Sequence, residues 1–125
     1  MGFLDRWQPQ LLSVLRIVSG LLFLEHGTSK LLHFPHVAMF DGKLPLIIMI
    51  AGAIELVGGA LVTVGLFTRH AAFIMSGEMA VAYFMAHQPK SFFPVINGGE
   101  DAILLCFIFL YLAAAGPGPW SLNKR

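Results

Sequence analysis

Polar residues are sparse along this chain and gather into short clusters that divide it into four apolar stretches. The first runs from Leu11 to about Phe34, longer than the ~20 residues that cross ~30 Å of hydrocarbon. His33-Phe34-Pro35-His36 ends it, because a proline restricts the residue before it and removes a backbone donor. A loop follows to about Leu44, and Pro45, which a first helical turn tolerates, opens a second stretch to about Phe67. Thr68-Arg69-His70 reads as a tight reversal, and the third stretch extends from about Ala71 to His87. Gln88 to Pro94, with its two prolines and the pair Phe92-Phe93, is the longest irregular segment and is suited to lie against lipid headgroups or fold back over the helices. Asn97-Gly98-Gly99 supplies turn residues, and Glu100-Asp101 places two acids at a helix start, where they complement the positive dipole end. The fourth stretch runs from Ala102 to Ala115 and stops at Gly116-Pro117-Gly118-Pro119.

This punctuation predicts an all-α chain: one membrane domain over residues 1–125, folded as an integral membrane four-helix bundle with both termini on the same side. Met1 to Gln10 reads as an amphipathic lead with Trp7 at the interface. The first stretch lacks a compact h-region and a small-x-small cleavage site, which predicts a retained helix and not a signal peptide. Composition agrees, with 57% hydrophobic and only 12% charged residues among 125, against roughly 25% charged in soluble domains. A net charge of +1 with scattered charges argues against a nucleic-acid partner. The lone Cys106 excludes an internal disulfide, a CxxC redox pair and a thiolate metal cluster within one chain. Arg6, Arg69, Lys124 and Arg125 on the terminal side outnumber Lys43 and Lys90 on the other, which points to cytoplasmic termini in a bacterial inner membrane.

Against this apolar background the ionisable residues stand out. Arg16, Glu25 and Lys30 lie in the first stretch, Glu55 in the second and Glu78 in the third. Each costs on the order of 3 kcal/mol if left unpaired in lipid, so they are expected to pair, to snorkel or to be neutral. At 100° per residue, Arg16, Gly20, Phe23, Gly27 and Lys30 share one side of the first helix, with His26 at its edge and Glu25 directed away. Acids from neighbouring helices are therefore the expected partners of Arg16 and Lys30, and Glu55 and Glu78, each near mid-span, qualify. Glu25 should lie within ~5 Å of them in depth. Ala51, Glu55, Gly59 and Thr63 form an i, i+4 stripe with Gly52 and Gly58 beside it, so small residues bring the acid to a helix contact. Glu25-to-Lys30 is thus expected to join two contacts, one toward Glu55 and Glu78 and one toward a neighbouring helix or subunit.

Gly20-Leu-Leu-Phe-Leu-Glu-His-Gly-Thr-Ser-Lys30, Glu55-Leu-Val-Gly-Gly59, Gly65-Leu-Phe-Thr-Arg69 and Asn97-Gly-Gly-Glu100 resemble, over nearly the whole chain, the DoxX family of small bacterial membrane proteins. The resemblance implies a four-helix membrane bundle and an association with membrane oxidoreductase complexes; it carries no agreed catalytic set. The function it implies is a small inner-membrane subunit of a quinone-linked oxidoreductase system. From the residues alone, Glu25, His26, Lys30, Glu55 and Glu78 are the candidates for proton chemistry, and His26, Tyr83 and His87 for binding a quinone. Tyr83 and His87, four apart on one helix face, also suit simple mutual satisfaction. The alternatives are a proton-coupled transporter or channel in which Glu25, Glu55 and Glu78 relay protons, and an accessory or assembly subunit. The residues name no cofactor. A quinone is compatible with them, while haem between His26 and His87 is disfavoured by a depth difference of ~6 Å. No metal is expected, since Pro35 breaks His33-x-x-His36 as a helical ligand pair. Besides the lipid bilayer, the expected partners are further copies in a homo-oligomer or the subunits of a larger membrane complex.

Overall fold

The computed structural model describes residues 2–123, and it is helical almost throughout. A short helix α1 (Gly2–Asp5) leads into α2 (Gln8–Leu32), followed by α3 (Leu46–Val64), α4 (Thr68–Ala82), the four-residue α5 (Pro94–Asn97) and α6 (Glu100–Ala115). Helix α2, with Pro9 in its first turn, ends where His33 turns left-handed at φ 56° and its N–H bonds the Thr28 carbonyl. The start is earlier than the expected Leu11 and the end earlier than Phe34, because Pro35 acts through the residues before it.

Gly65, at φ 77°, closes α3; its N–H reaches Leu61 and Val62 carbonyls, a left-handed stop that glycine adopts without steric cost. Phe67 is also left-handed, at φ 52°. The reversal therefore falls at Gly65 to Phe67, and Thr68-Arg69-His70, expected to be the turn, forms the first turn of α4 instead. Past Ala82 the helix widens into one π-type turn, Tyr83–His87, in which the Gln88 N–H bonds the Tyr83 carbonyl. This carries the third stretch to its expected end at His87.

Helices α2 and α3 pack closely along their length, α4 and α6 form a second tight pair, and α3 meets α4 along a looser seam. The core where the pairs meet contains Phe23, Val62, Met75, Leu105, Phe109 and Leu112. Phe23 and Phe109 join α2 to α6 edge-to-face at 4.9 Å. Outside, large apolar side chains face outward on every long helix, among them Leu21, Ile50, Val57, Phe73, Leu104 and Phe107. Two helices, α2 and α3, are long and apolar enough to cross a membrane.

The segment after α6 straps back across the end where the chain began. Trp120 N–H donates to Ser13 Oγ at 3.1 Å, and Leu122 and Asn123 N–H donate to the Val64 and Gly65 carbonyls, both at 3.1 Å. The strap therefore lies against the first part of α2 and the end of α3. Lys124 and Arg125, counted above for orientation, lie outside the described residues.

Candidate functional site

Glycines set the distance between α2 and α3. A Cβ at Gly27 would sit 2.8 Å from Leu56 Cα and 2.9 Å from the Glu55 carbonyl carbon; one at Gly59 would sit 2.8 Å from Leu24 Cα; one at Gly20, 2.8 Å from Thr63 N. These are backbone contacts, so only glycine permits the approach. The approach delivers Lys30 to Glu55. Lys30 Nζ donates to both carboxylate oxygens, at 2.8 and 2.7 Å, and lies 5.8 Å from the Phe40 ring centroid. Glu55 is 1% exposed and Lys30 12%.

Glu78 joins this pair from α4. Its carboxyl faces Glu55 and feels the charges of both Glu55 and Lys30, yet its Oε1 is buried without a hydrogen-bond partner. One cation thus faces two acids, and a single added proton makes the set neutral. One turn away, where Gly58 meets Met75, the seam between α3 and α4 opens into an apolar groove of about 310 Å³ lined by residues including Ile54, Val57, Leu61 and Ile74. That volume is at the lower end for small-molecule sites.

Lys30, Glu55 and Glu78 are therefore brought together, and Glu25 and His26 are not. Both of the latter are exposed on the outer face of α2, with His26 Nδ1 2.8 Å from the Leu22 carbonyl. The contact expected between Glu25-to-Lys30 and the mid-span acids is made by Lys30 alone, because the glycine face of α2 fixes its rotation. Arg16, 1% exposed, departs from expectation too. Its guanidinium donates to the Pro117 and Trp120 carbonyls of the returning strap and, among the described residues, to no acid. Carbonyls freed at a helix end are good acceptors for a cation. Arg69 does the same at the end of α6, donating to the Ala113 and Ala114 carbonyls.

Tyr83 and His87 stack at 6.3 Å at the opposite end of the molecule. The residue that organises them is Asn97, buried and absent from the expected set. Its Nδ2 donates to Tyr83 Oη at 3.1 Å and to the Ser91 carbonyl at 3.0 Å, its Oδ1 accepts from Gly99 N–H at 2.8 Å, and its own carbonyl lies 3.1 Å from His87 Nδ1. The signal was Asn97-Gly98-Gly99, which reads as a turn but also provides a backbone that an amide side chain can clasp. Nearby, His36 Nε2 lies 2.8 Å from Asp41 Oδ1, and His33 Nδ1 4.0 Å from the same oxygen.

The family model described as DoxX matches residues 11–88. The chain belongs to the DoxX family. The matched region runs from the start of α2 through the π-type turn, so it contains Lys30, Glu55, Glu78, Tyr83 and His87, and stops short of Asn97 and α6. An uncharacterised protein of Haemophilus influenzae is 44% identical over 100% of this chain and 97% of its own length. The uncharacterised membrane protein Rv3486 of Mycobacterium tuberculosis is 27% identical over 94% of this chain and 82% of its own. CatD of Bacillus subtilis, whose name assigns it provisionally to the oxidoreductases, is 30% identical over 82% of this chain and 77% of its own. No solved structure matches. DoxX membership, the apolar exterior and the long apolar helices together mark this as a membrane protein.

Proposed function

We propose that this chain is a four-helix bundle of the bacterial inner membrane with cytoplasmic termini, and that it serves as the small, quinone-linked subunit of a DoxX-type oxidoreductase system. The observation that carries this reading is the buried Lys30, Glu55 and Glu78 set beside the apolar groove between α3 and α4. A quinone supplies a two-electron, two-proton couple. Its apolar tail suits the groove, and its carbonyl oxygens suit a site where an unpartnered carboxyl oxygen, Glu78 Oε1, can offer or accept a proton. Lys30 pairs directly with Glu55, so that, among the described residues, Glu78 is the acid of the set without a bonded cation. No redox centre is carried by these residues, so electrons come from a partner subunit. CatD's name lends support from a relative. Arg69 lies at the end of α6 from which the strap of residues 117–123 returns, a basic residue on that side that supports the orientation.

Membranes containing the chain are assayed for quinol oxidation and for labelling by a photoreactive quinone. Labelling at Ile54, Val57 or Ile74 and a rate loss of about tenfold or more in Glu78→Gln are expected from loss of a proton-transfer group. Absence of labelling, with no quinone in solvent extracts and an unchanged rate, sinks the reading. The imbalance of one cation against two acids favours a second reading, a proton-conducting module. Proton flux in vesicles under a pH gradient decides it: flux at the empty-vesicle level, unaltered by Glu78→Gln, removes this alternative.

A further inference from the structure

The outer face of α2 carries a second polar feature that the buried set leaves unused. Leu11, Val18, Leu22, Glu25 and His26 are all exposed and Leu15 is half-exposed; positions 11, 15, 18, 22 and 25 repeat at intervals of four and three residues, the spacing of a seam between two helices, and His26 flanks it. Apolar members of such a seam are at ease in lipid, but Glu25 is not. It lies roughly two turns before the end of α2, ~10 Å along the axis, and among the described residues nothing hydrogen-bonds its carboxyl. Beside it, His26 Nδ1 is bonded to the Leu22 carbonyl. A carbonyl only accepts, so the ring proton is on Nδ1, and Nε2 of the neutral ring is a free acceptor. Each chain therefore presents, at one depth on one exposed face, a carboxyl that can donate and an imidazole nitrogen that can accept.

We infer that α2 is the self-association face, and that Glu25 of one copy and His26 of a second copy bond reciprocally across a two-fold axis. Copies inserted in the same orientation place α2 parallel to α2, with Glu25 and His26 at matching depth. A two-fold contact is isologous, so the donor of each copy meets the acceptor of the other and both are satisfied twice. Two hydrogen bonds take up four lipid-facing polar groups, and such bonds between helices favour association in a bilayer. A lipid has no means of satisfying both groups at this depth, and the chemistry is complementary to itself. The inference does not depend on the quinone reading.

Oxidative cross-linking in native membranes tests it, with Cys106→Ser as background and single cysteines introduced along α2, α3 and α6. Leu15→Cys, Val18→Cys and Leu22→Cys should give covalent dimers of this chain, while Val57→Cys and Phe107→Cys, on the outer faces of α3 and α6, should not. Adding Glu25→Ala should lower the Val18→Cys dimer yield about tenfold, and Glu25→Gln, whose amide still donates to the imidazole, should keep most of it. Equal cross-linking at all five positions, no dimer at the α2 positions, or capture of a different protein there overturns self-association. Retention of full yield in Glu25→Ala overturns the Glu25–His26 contact, and neither substitution touches a packed residue.

Discussion

Lys30 and Glu55 offer the sharpest test of how this protein holds charge inside an apolar body. Lys30→Met removes the cation that is bonded to a carboxylate only 1% exposed, together with two hydrogen bonds of 2.8 and 2.7 Å. Removing one partner of a buried pair costs about 3–5 kcal/mol, most of it the penalty of the charge left behind. Glu78 deepens the loss, because without Lys30 two acids face each other. Glu55→Leu should cost less, about 1–2 kcal/mol, since Lys30 is 12% exposed and its long stem can carry the ammonium outward. The double substitution Lys30→Met with Glu55→Leu should return close to the parent, because a packed apolar pair of similar volume often replaces a buried ion pair at little cost. Equilibrium unfolding in bicelles on all four chains gives the coupling energy, expected at about 4–7 kcal/mol when the double variant matches the parent. If the double variant is no more stable than Lys30→Met, or the two losses simply add, the pairing argument is wrong. Swapping Glu25→Lys with Lys30→Glu should not rescue folding, as the two residues face opposite ways.

Gly27→Ala places a methyl against the Leu56 and Glu55 backbone, with 2.8 Å to Leu56 Cα, so α2 must move away. A loss of about 1–3 kcal/mol is expected from overpacking, read as a lower melting temperature, whereas Gly77→Ala, which meets nothing within 4 Å, should leave melting unchanged or raise it. Asn97→Ala strips the bonds to Tyr83, Ser91 and Gly99. About 2–3 kcal/mol of local stability should be lost, visible as faster amide exchange across residues 88–99 while α2 and α3 stay protected; uniform exchange throughout would refute this local role.

Hydrophobic spacing alone marked out the long helices to within a few residues, and the reason is local: each stretch is bounded by proline, glycine or a polar turn that acts on its own neighbours. The stripe around Glu55 was legible for the same reason, because small residues at i, i+4 around it, Ala51, Gly59 and Thr63, with Gly52 and Gly58 beside them, allow a close approach of another helix. The turn at Gly65 to Phe67 was misplaced by a few residues, since Thr68, Arg69 and His70 look polar enough for a loop but supply α4 with its start.

Periodicity relates residues within one helix; it does not say how that helix is rotated against the next. Rotation decided that Lys30, and not Glu25, meets Glu55, and it follows from Gly20, Gly27 and Gly59 lying against backbone on the opposing helix. Tertiary folding also chose acceptors that no charge pattern announces. The two terminal nitrogens of Arg16 donate to carbonyls of Pro117 and Trp120, and Tyr83 accepts from the amide of Asn97. Every peptide carries a carbonyl, so the ones that a buried cation reaches are known only when the distant strap is in place. Chain chemistry thus determined that ionisable groups sit within apolar helices, and the packing of glycine faces determined which of them meet.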